Sequence, residues 1–408
     1  MSPALIVSSK LKLKGRLDMT PVEGGVPQEI IDLILDFTDK KALKACSCVA
    51  RSFRYTSQKH LFSDIRLKPS SRFWLKSDLF IERFLKILTR SPHLALHVRA
   101  LTLVEGTGIG SPVWMRTEQF ASILVMFANL TKLSIESQLW LNWRSFPPAL
   151  VTALHGTMAL PTLTSVRLRH LRFEQSSELI SLLQCSRNLE FLGLSQVYVR
   201  GIDNENAGIL DSPLGLSSLE LDPFLRPLIH SVTGAVDLQR LRFLRTTISS
   251  TELEAEAQRL LDSTVHLEHY HVHLSHHQTG TSTITLRDLR LLRTLEITVF
   301  FEFATSPDWC NPVAWAARVL SSVPSPSRIQ HVILNVHVDE RELRYLSRLA
   351  DLEPVLTAPA LAALRRVTVR LDALDVDFSI SGGEREVGEA LPALCRLGLL
   401  EIVLLGLT

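Results

Sequence analysis

A run of histidines at residues 266–277, HLEHYHVHLSHH, is the densest group of possible metal ligands in the chain. On a strand, His269, His271 and His273 would share one face, because successive side chains of a strand point to opposite sides. Alternating histidines can bind Zn²⁺. However, no HExxH motif accompanies the run, and a catalytic metal also needs a base and a dry pocket. We therefore expect a His-rich strand face without a resident metal, although the sequence leaves metal binding by the cluster open.

Two further motifs resemble catalytic or ligand sites only superficially. Gly106, Gly108 and Gly110 form a GxGxG run, but no GK[ST] follows, so a phosphate-binding loop is not indicated. Cys46 and Cys48 lack a second cysteine pair at the spacing of a zinc site. The chain also has no Gly-x-Ser-x-Gly elbow. We predict a protein that is not an enzyme and needs no cofactor or metal.

Composition points to a large globular core with no strong electrostatic preference. Of the 408 residues, 46% are hydrophobic and 21% are charged, with 44 Lys and Arg against 42 Asp and Glu. That balance argues against a nucleic-acid coat or a polybasic membrane binder. Five scattered cysteines favour a reducing compartment, the cytoplasm or the nucleus or both. The most apolar stretches, such as residues 399–407, are too short to span a membrane.

A six-residue pattern, apolar-x-x-apolar-x-apolar, returns along most of the chain, with a mean spacing of about 30 residues. Its copies are Val98-Leu101-Leu103, Leu130-Leu133-Ile135, Leu163-Val166-Leu168, Leu189-Leu192-Leu194, Leu216-Leu219-Leu221, Leu238-Leu241-Phe243, Leu267-Tyr270-Val272, Leu292-Leu295-Ile297, Ile329-Val332-Leu334, Leu364-Val367-Val369 and Leu399-Ile402-Leu404. Phe62-Ile65-Leu67 is a plausible earlier copy. Such a repeat predicts one short parallel strand per unit, with its apolar residues pointing inward.

The repeat resembles that of leucine-rich-repeat proteins, and the intervening segments support an α/β solenoid. Residues 120–130, 176–189 and 340–352 have helical periodicity, as expected for outer helices that return the chain. No copy supplies the Asn of the regular consensus, so we expect an irregular, leucine-rich-repeat-like solenoid over residues 68–408. Residues 201–215 and 374–388 are predicted to be loops.

Basic residues stand at the variable positions of several copies, which should project onto the concave strand face. These candidate substrate-binding residues are Lys132, Arg167, Arg169, Arg240, Arg242, His271, Arg366 and Arg370. They outnumber the acidic residues at equivalent positions, Glu136, Glu220, Asp222, Glu296 and Glu401. Paired arginines bind carboxylate or phosphate well, so one hypothesis is an acidic or phosphorylated protein substrate. The alternative is an ordinary solvated strand face with balanced ion pairs.

A different pattern occupies the N-terminus. Residues 1–25 are predicted to be a flexible leader, and residues 26–67 a helical module with its joint to the repeats. Pro27 suits the start of a helix, and Ile and Leu residues follow at helical spacing over an arc wider than one core stripe needs. A bundle of ~40 residues cannot bury that much apolar surface alone. It should either dock on the rest of the chain or keep an apolar face for a partner.

This module resembles the F-box. The family pattern, a Leu-Pro-x-Glu start, an Ile/Leu helix, a Leu-x-x-Cys helix and Val-Cys-Arg-x-Trp, is matched by Pro27, Glu29, Ile30, Ile34, Leu43, Cys46, Val49 and Arg51. Val26, Ala50 and Phe53 depart from it. The resemblance, which is to F-box proteins of mushroom-forming fungi, extends to about residue 103.

The resemblance implies a substrate receptor of a Skp–cullin–F-box ubiquitin ligase. Its Skp adaptor, which carries the cullin and RING subunits, would contact Pro27, Glu29, Ile30, Ile34, Leu35, Leu43, Val49, Arg51 and Phe53 or residues that they support. The solenoid would hold a protein substrate, with no nucleic acid or membrane partner. Two other hypotheses stay open. One is a repeat scaffold that works without the ligase, and the other is a metal-dependent hydrolase that uses the histidine run.

Overall fold

The computed structural model describes residues 26–68, 77–105, 114–201, 213–221, 232, 235–274, 284–301, 311–338, 340–373 and 380–405. The predicted leader at 1–25, the glycines at 106–110, Asp222 and most of the predicted loop at 201–215 lie outside these residues. The chain divides into two compact units, Met1–Leu61 and Phe62–Thr408.

The N-terminal unit is helical. Helices α1 (Gln28–Asp36) and α2 (Lys40–Val49) are followed by α3 (Arg51–Ser63). Asp39 caps α2 by accepting a 2.7 Å hydrogen bond from the Ala42 amide, as expected of an N-cap carboxylate. Ile31, Leu35 and Leu43 form a small buried core, against which Cys46, Phe53 and Leu61 pack.

Polar contacts fix α1 against α3. The Thr56 hydroxyl donates a 2.6 Å hydrogen bond to the Asp32 carboxylate, which also accepts one of 2.7 Å from the Gln28 side chain. These two hydrogen bonds lower the pKa of Asp32 below its ordinary value. The Gln28 amide also donates to the Ser52 carbonyl at 3.1 Å. Together these contacts set which side of α1 faces the small core.

In the part of the chain that the structure describes, the second unit is built on one parallel sheet of thirteen strands. They are β1 (Asp64–Leu67), β2 (Ala100–Glu105), β3 (Lys132–Asn142), β4 (Ser165–Gln175), β5 (Phe191–Ser195), β6 (Tyr198–Gly201), β7 (Ser218–Leu221), β8 (Phe243–Ile248), β9 (His269–Leu274), β10 (Thr294–Phe300), β11 (His331–Val338), β12 (Arg366–Ala373) and β13 (Leu400–Leu405). The strands follow chain order across the sheet, except that β6 pairs with β4 beside this path. The predicted α/β class with a parallel sheet is confirmed. Phe62, Ile65 and Leu67, which form the predicted earlier copy of the repeat, lie in this unit, where β1 pairs with β2.

Helices connect the strands and cover one face of the sheet. The α-helices described are α4 (Ser77–Arg90), α5 (Glu118–Val125), α6 (Pro148–Met158), α7 (Ser176–Gln184), α8 (Thr251–Asp262), α9 (Pro312–Ser321), α10 (Glu353–Leu356), α11 (Ile380–Ala390) and α12 (Pro392–Arg396). Shorter connections are 3₁₀ helices at Pro92–His97, Trp114–Arg116, Trp143–Ser145, Leu238–Arg240 and Pro359–Leu361, and a longer one covers Glu340–Leu352. The predicted loop at 374–388 is wrong from residue 380 onward, since Val387 and Ala390 of α11 are buried in the core.

The register of the sheet stacks the apolar residues of successive repeats in rows. Leu101, Leu133, Val166, Leu192 and Leu219 are aligned across neighbouring strands and are all buried. They belong to one continuous core that extends through the unit. Each repeat therefore completes the hydrophobic face of the next, which is how short strands gain stability in a repeat fold.

Two predicted copies are displaced from this register. In β8 the residue aligned with Leu219 and Tyr270 is Leu244, not Leu241. In β13 the residue aligned with Val367 is Leu400, not Ile402. In β8 the third inward position is taken by Thr246, which is buried and hydrogen-bonded to the Tyr270 hydroxyl at 3.0 Å. The sequence pattern requires an apolar residue at this third position. Because Thr246 is polar, the pattern did not identify the register that β8 adopts.

Gly156 offers a direct test of helix energetics in this fold. It lies inside α6, and a Cβ atom added there would meet nothing within 4 Å. Glycine weakens a helix interior by about 0.5–1 kcal/mol relative to alanine. We expect Gly156→Ala to raise the free energy of unfolding by that amount in urea titrations. A loss of stability would show that α6 requires the flexibility of glycine.

Candidate protein-binding surfaces

An apolar stripe is exposed along α1. Ile30, Leu33, Ile34 and Phe37 follow the i, i+3, i+4, i+7 spacing of a single helix face, and all are exposed. Phe37 is 87% exposed, and Val49 at the end of α2 is 78% exposed. We call these five residues the α1 stripe. Soluble proteins rarely leave contiguous large apolar side chains in water unless a partner covers them.

The structure divides the predicted adaptor-binding residues into two groups. Leu35 and Leu43 are buried and Phe53 is half-buried against them, so these three build the small core. The other six, Pro27, Glu29, Ile30, Ile34, Val49 and Arg51, are exposed. Sequence reasoning did not select Leu33 and Phe37 for the adaptor. Their helical spacing from Ile30 and Ile34, which the F-box resemblance had already selected, was the signal that would have found them.

The second surface is the polar face of the sheet, formed by the residues that alternate with the buried ones. Lys132, Arg167, Arg169, His271, Arg366 and Arg370 all lie on it, as predicted. Arg240 and Arg242 do not, so their predicted placement is wrong. Arg240 ends a 3₁₀ helix, and Arg242 precedes β8 and forms a 3.7 Å ion pair with Glu268. Arg245, which sequence reasoning missed, is aligned with Glu220 and His271 instead.

Three of the six predicted residues on this face are arginines that form ion pairs. Arg167 contacts Glu220 at 3.0 Å, Arg366 contacts Glu401 at 3.5 Å, and Arg370 contacts Glu296 at 3.5 Å. By contrast, Lys132, Arg169 and Arg245 form no ion pair with a carboxylate of the described residues. The face is therefore close to neutral over most of its length. Of these three cations without an ion pair among the described residues, Arg169 and Arg245 line the same cavity.

Those two arginines line a cavity of about 380 Å³ on the polar face. We call it the arginine cavity. Its other charged lining residues are Arg167, Glu136 and Glu220, and Ser195 adds a hydroxyl. Among the residues that the structure describes, the lining has three arginines and two glutamates, which leaves one net positive charge. Such a site suits a single negative charge presented by a partner.

Gly193 allows Arg167 to lie across the neighbouring strand. Arg167 is aligned with Gly193 on β5, and its guanidinium stacks over the Phe191 ring at 5.0 Å before reaching Glu220 on β7. A Cβ atom at Gly193 would lie 3.3 Å from both Cγ and Nε of Arg167. The missing side chain is what gives the guanidinium room.

Gly193→Leu should therefore displace Arg167 from Glu220. We expect a loss of about 1–3 kcal/mol in the free energy of unfolding, the usual cost of overpacking. Urea unfolding of this variant beside Arg167→Ala provides the check. If Gly193→Leu is as stable as the unchanged chain, the close approach of Arg167 over β5 is not tightly constrained.

Two histidines of the run, His269 and His271, belong to a partly buried polar cluster around Glu296. The Glu296 carboxylate is contacted by His269 Nε2 at 3.5 Å, Arg370 Nη1 at 3.5 Å and Asn335 Nδ2 at 2.6 Å. Burial alone would raise the pKa of Glu296, but His269, His271, Asn335 and Arg370 outweigh it and lower that pKa to about 2. This carboxylate stays ionised and compensates the positive charge around it.

The neutral form of His271 is favoured, because this side chain is buried on the same polar face. Burial lowers its pKa to about 4, and the positive charges of Arg245, His269 and Arg370 add to that effect against the attraction of Glu296. Its Nε2 atom lies 2.9 Å from the Thr298 hydroxyl. Within the part of the chain that the structure describes, no group of three or more His, Cys, Asp or Glu residues is arranged to hold a metal ion.

No protein-family model and no curated protein matches this chain. None of the helices described combines the length and apolar character needed to cross a membrane.

Proposed function

We propose that this chain is a substrate receptor of a Skp–cullin–F-box ubiquitin ligase. Its N-terminal helical unit is an F-box that binds the Skp adaptor, and the parallel-sheet unit holds a protein substrate. The chain carries out no covalent chemistry. It brings a substrate lysine close to a ubiquitin-charged enzyme held by the cullin and RING subunits, so its contribution is a high effective concentration.

The observation that carries the proposal is the α1 stripe. Residues that match the F-box pattern, Ile30, Ile34 and Val49, are exposed, whereas Leu35 and Leu43 are buried within the unit. Because the unit has its own small core, the exposed stripe is not needed to hold its helices together. An apolar stripe on a helix is the usual way in which an amphipathic helix enters a hydrophobic groove of a partner.

The parallel-sheet unit supports the second half of the proposal. Repeat folds present extended strand faces along which a protein segment can bind. Among the residues that the structure describes, the polar face has arginines without an ion pair at the arginine cavity and neutral pairs beside it, which favours an acidic or phosphorylated substrate segment. A reducing compartment, cytoplasmic or nuclear, fits the scattered cysteines.

The experiment is reconstitution of the full chain with a Skp adaptor, a cullin and a RING subunit, followed by native mass spectrometry. We expect one copy of each protein in a single assembly. A chain that stays folded but remains outside the assembly would contradict the proposal. The chain would then be a protein-interaction scaffold that works without the ligase.

A further inference from the structure

Three neighbouring strand segments depart from regular geometry at the same level of the sheet. The pairing of β3 with β4 shifts between Glu136 and Leu141. His170 within β4 has a φ of 57°, and Gln196 directly after β5 has a φ of 51°. Residues other than glycine rarely adopt this left-handed conformation, and such departures concentrate at functional sites. We call this place the bend.

Large apolar side chains are exposed at the bend. Leu139 and Trp140 lie in the irregular part of β3, and Tyr198 begins β6; all three are exposed. The Trp140 ring makes edge contacts with His170 and Tyr198, with centroids 5.7 and 6.2 Å apart. The Arg172 guanidinium lies over the Tyr198 ring at 5.5 Å. Exposed Trp and Tyr beside Arg is the composition that dominates binding energy in protein interfaces.

The bend and the arginine cavity are continuous along the chain. Arg169 lines the cavity and is followed by His170, which contacts Trp140. Likewise Ser195 lines the cavity and is followed by Gln196, two residues before Tyr198. An apolar anchoring surface therefore adjoins a pocket with one net positive charge.

We propose that this joint surface binds an extended protein segment in which a glutamate or aspartate stands within a few residues of a large apolar side chain. The carboxylate enters the arginine cavity between Arg169 and Arg245. The apolar side chain packs on Trp140 and Tyr198. The inference rests on the proposed function in one respect, namely that the bound segment belongs to a substrate of the ligase.

The charges of the cavity decide between a carboxylate and other anions. Glu136 pairs with Arg66 at 3.3 Å and Glu220 with Arg167 at 3.0 Å, so the lining compensates one negative charge better than the two of a phosphoryl group. A carboxylate brings one charge and accepts two parallel hydrogen bonds from a guanidinium. The same two glutamates disfavour the phosphate chain of a nucleic acid. The surface therefore fits an acidic peptide better than a phosphopeptide or RNA.

The test begins with a random ten-residue peptide library displayed on phage and selected on the immobilised full chain. We expect enrichment of Asp or Glu near Leu, Ile, Phe or Trp. One enriched peptide is then labelled and its affinity measured by fluorescence anisotropy, in Glu, Gln and phosphoserine forms and beside a labelled twelve-nucleotide poly-U RNA. The Glu form should bind about tenfold or more tightly than the Gln form.

Matched variants locate the site. Arg169→Ala with Arg245→Ala should reduce the affinity for the Glu form about tenfold or more and remove the Glu-over-Gln preference, whereas Trp140→Ala should weaken both forms equally. Arg187→Ala, an exposed arginine between α7 and β5, is the control and should change nothing. Thermal unfolding of each variant checks folding.

Four outcomes overturn the inference: no enrichment, tighter binding of the phosphoserine form, tighter binding of the RNA, or unchanged affinity in folded Arg169→Ala with Arg245→Ala. Adaptor binding is measured separately on the same proteins. Failure there would remove the ligase role and leave the peptide site intact, so the two proposals fail independently.

Discussion

Ile34→Asp should abolish binding of the chain to a Skp adaptor while the N-terminal unit stays folded. Ile34 lies in the middle of the α1 stripe and is 57% exposed, so the substitution costs the free protein little. In the complex, the same carboxylate would be buried without a partner in an apolar interface. We expect an affinity loss of about 100-fold or more, roughly 3 kcal/mol, measured by titration calorimetry.

The neighbouring residue provides the control. Leu35 is 1% exposed and belongs to the small core, so Leu35→Asp should unfold the unit as well as remove binding. Helical circular dichroism distinguishes the two variants. If Ile34→Asp binds as tightly as the unchanged chain and is folded, the α1 stripe is not the adaptor interface.

The second large effect is acid destabilisation through His271. Its pKa is lowered from 6.5 to about 4 in the folded chain, so between these values the unfolded chain binds more protons than the folded one. Stability therefore rises with pH over this range and is fully present above pH 6.5. The shift corresponds to roughly 3 kcal/mol lost as the pH falls to about 4. The lowered pKa values of His331 and His337 act in the same direction.

His271→Gln removes this titration and keeps a group able to hydrogen-bond Thr298. Urea unfolding of both proteins from pH 4 to pH 8 is the measurement. We expect a shallower slope for the variant between pH 4.5 and 6.5, with the two curves converging towards low pH. Below that range Glu296 adds its own loss in both proteins, since its pKa of about 2 lies under its unfolded value of 4.5. Parallel curves over the whole range would show that His271 is not the group that titrates.

The strands could be predicted because each repeat carries its own apolar triad. Leu133, Val166 and Leu192 are aligned and point inward. Each could be assigned from the pattern of its own repeat, without information about the rest of the sheet. The prediction was wrong where a polar residue occupies an inward position. Thr246 can be buried in β8 because its hydroxyl is hydrogen-bonded to that of Tyr270 on the neighbouring strand. The sequence pattern does not indicate this contact between strands. Arg245 was missed for the same reason.

The two binding surfaces were predictable to different degrees. In α1 both the buried and the exposed faces carry Ile and Leu, so periodicity alone could not tell them apart. The contacts of α1 with α3, from Asp32 to Thr56, decide which side is covered. The sequence contains no signal for the bend. Glycine residues would have indicated the positive φ angles there, but the residues that adopt them are His170 and Gln196. Its exposed Trp140 and Tyr198 became visible only in the structure.

Hydrogen–deuterium exchange of the full chain, with and without a Skp adaptor, tests the central claim most directly. We expect added protection in α1 and around Val49, and unchanged exchange in β3, β4 and β8 on the polar face of the sheet. That pattern would place the adaptor on the N-terminal unit and leave the sheet free for a substrate. Protection of the sheet without protection of α1 would contradict the account.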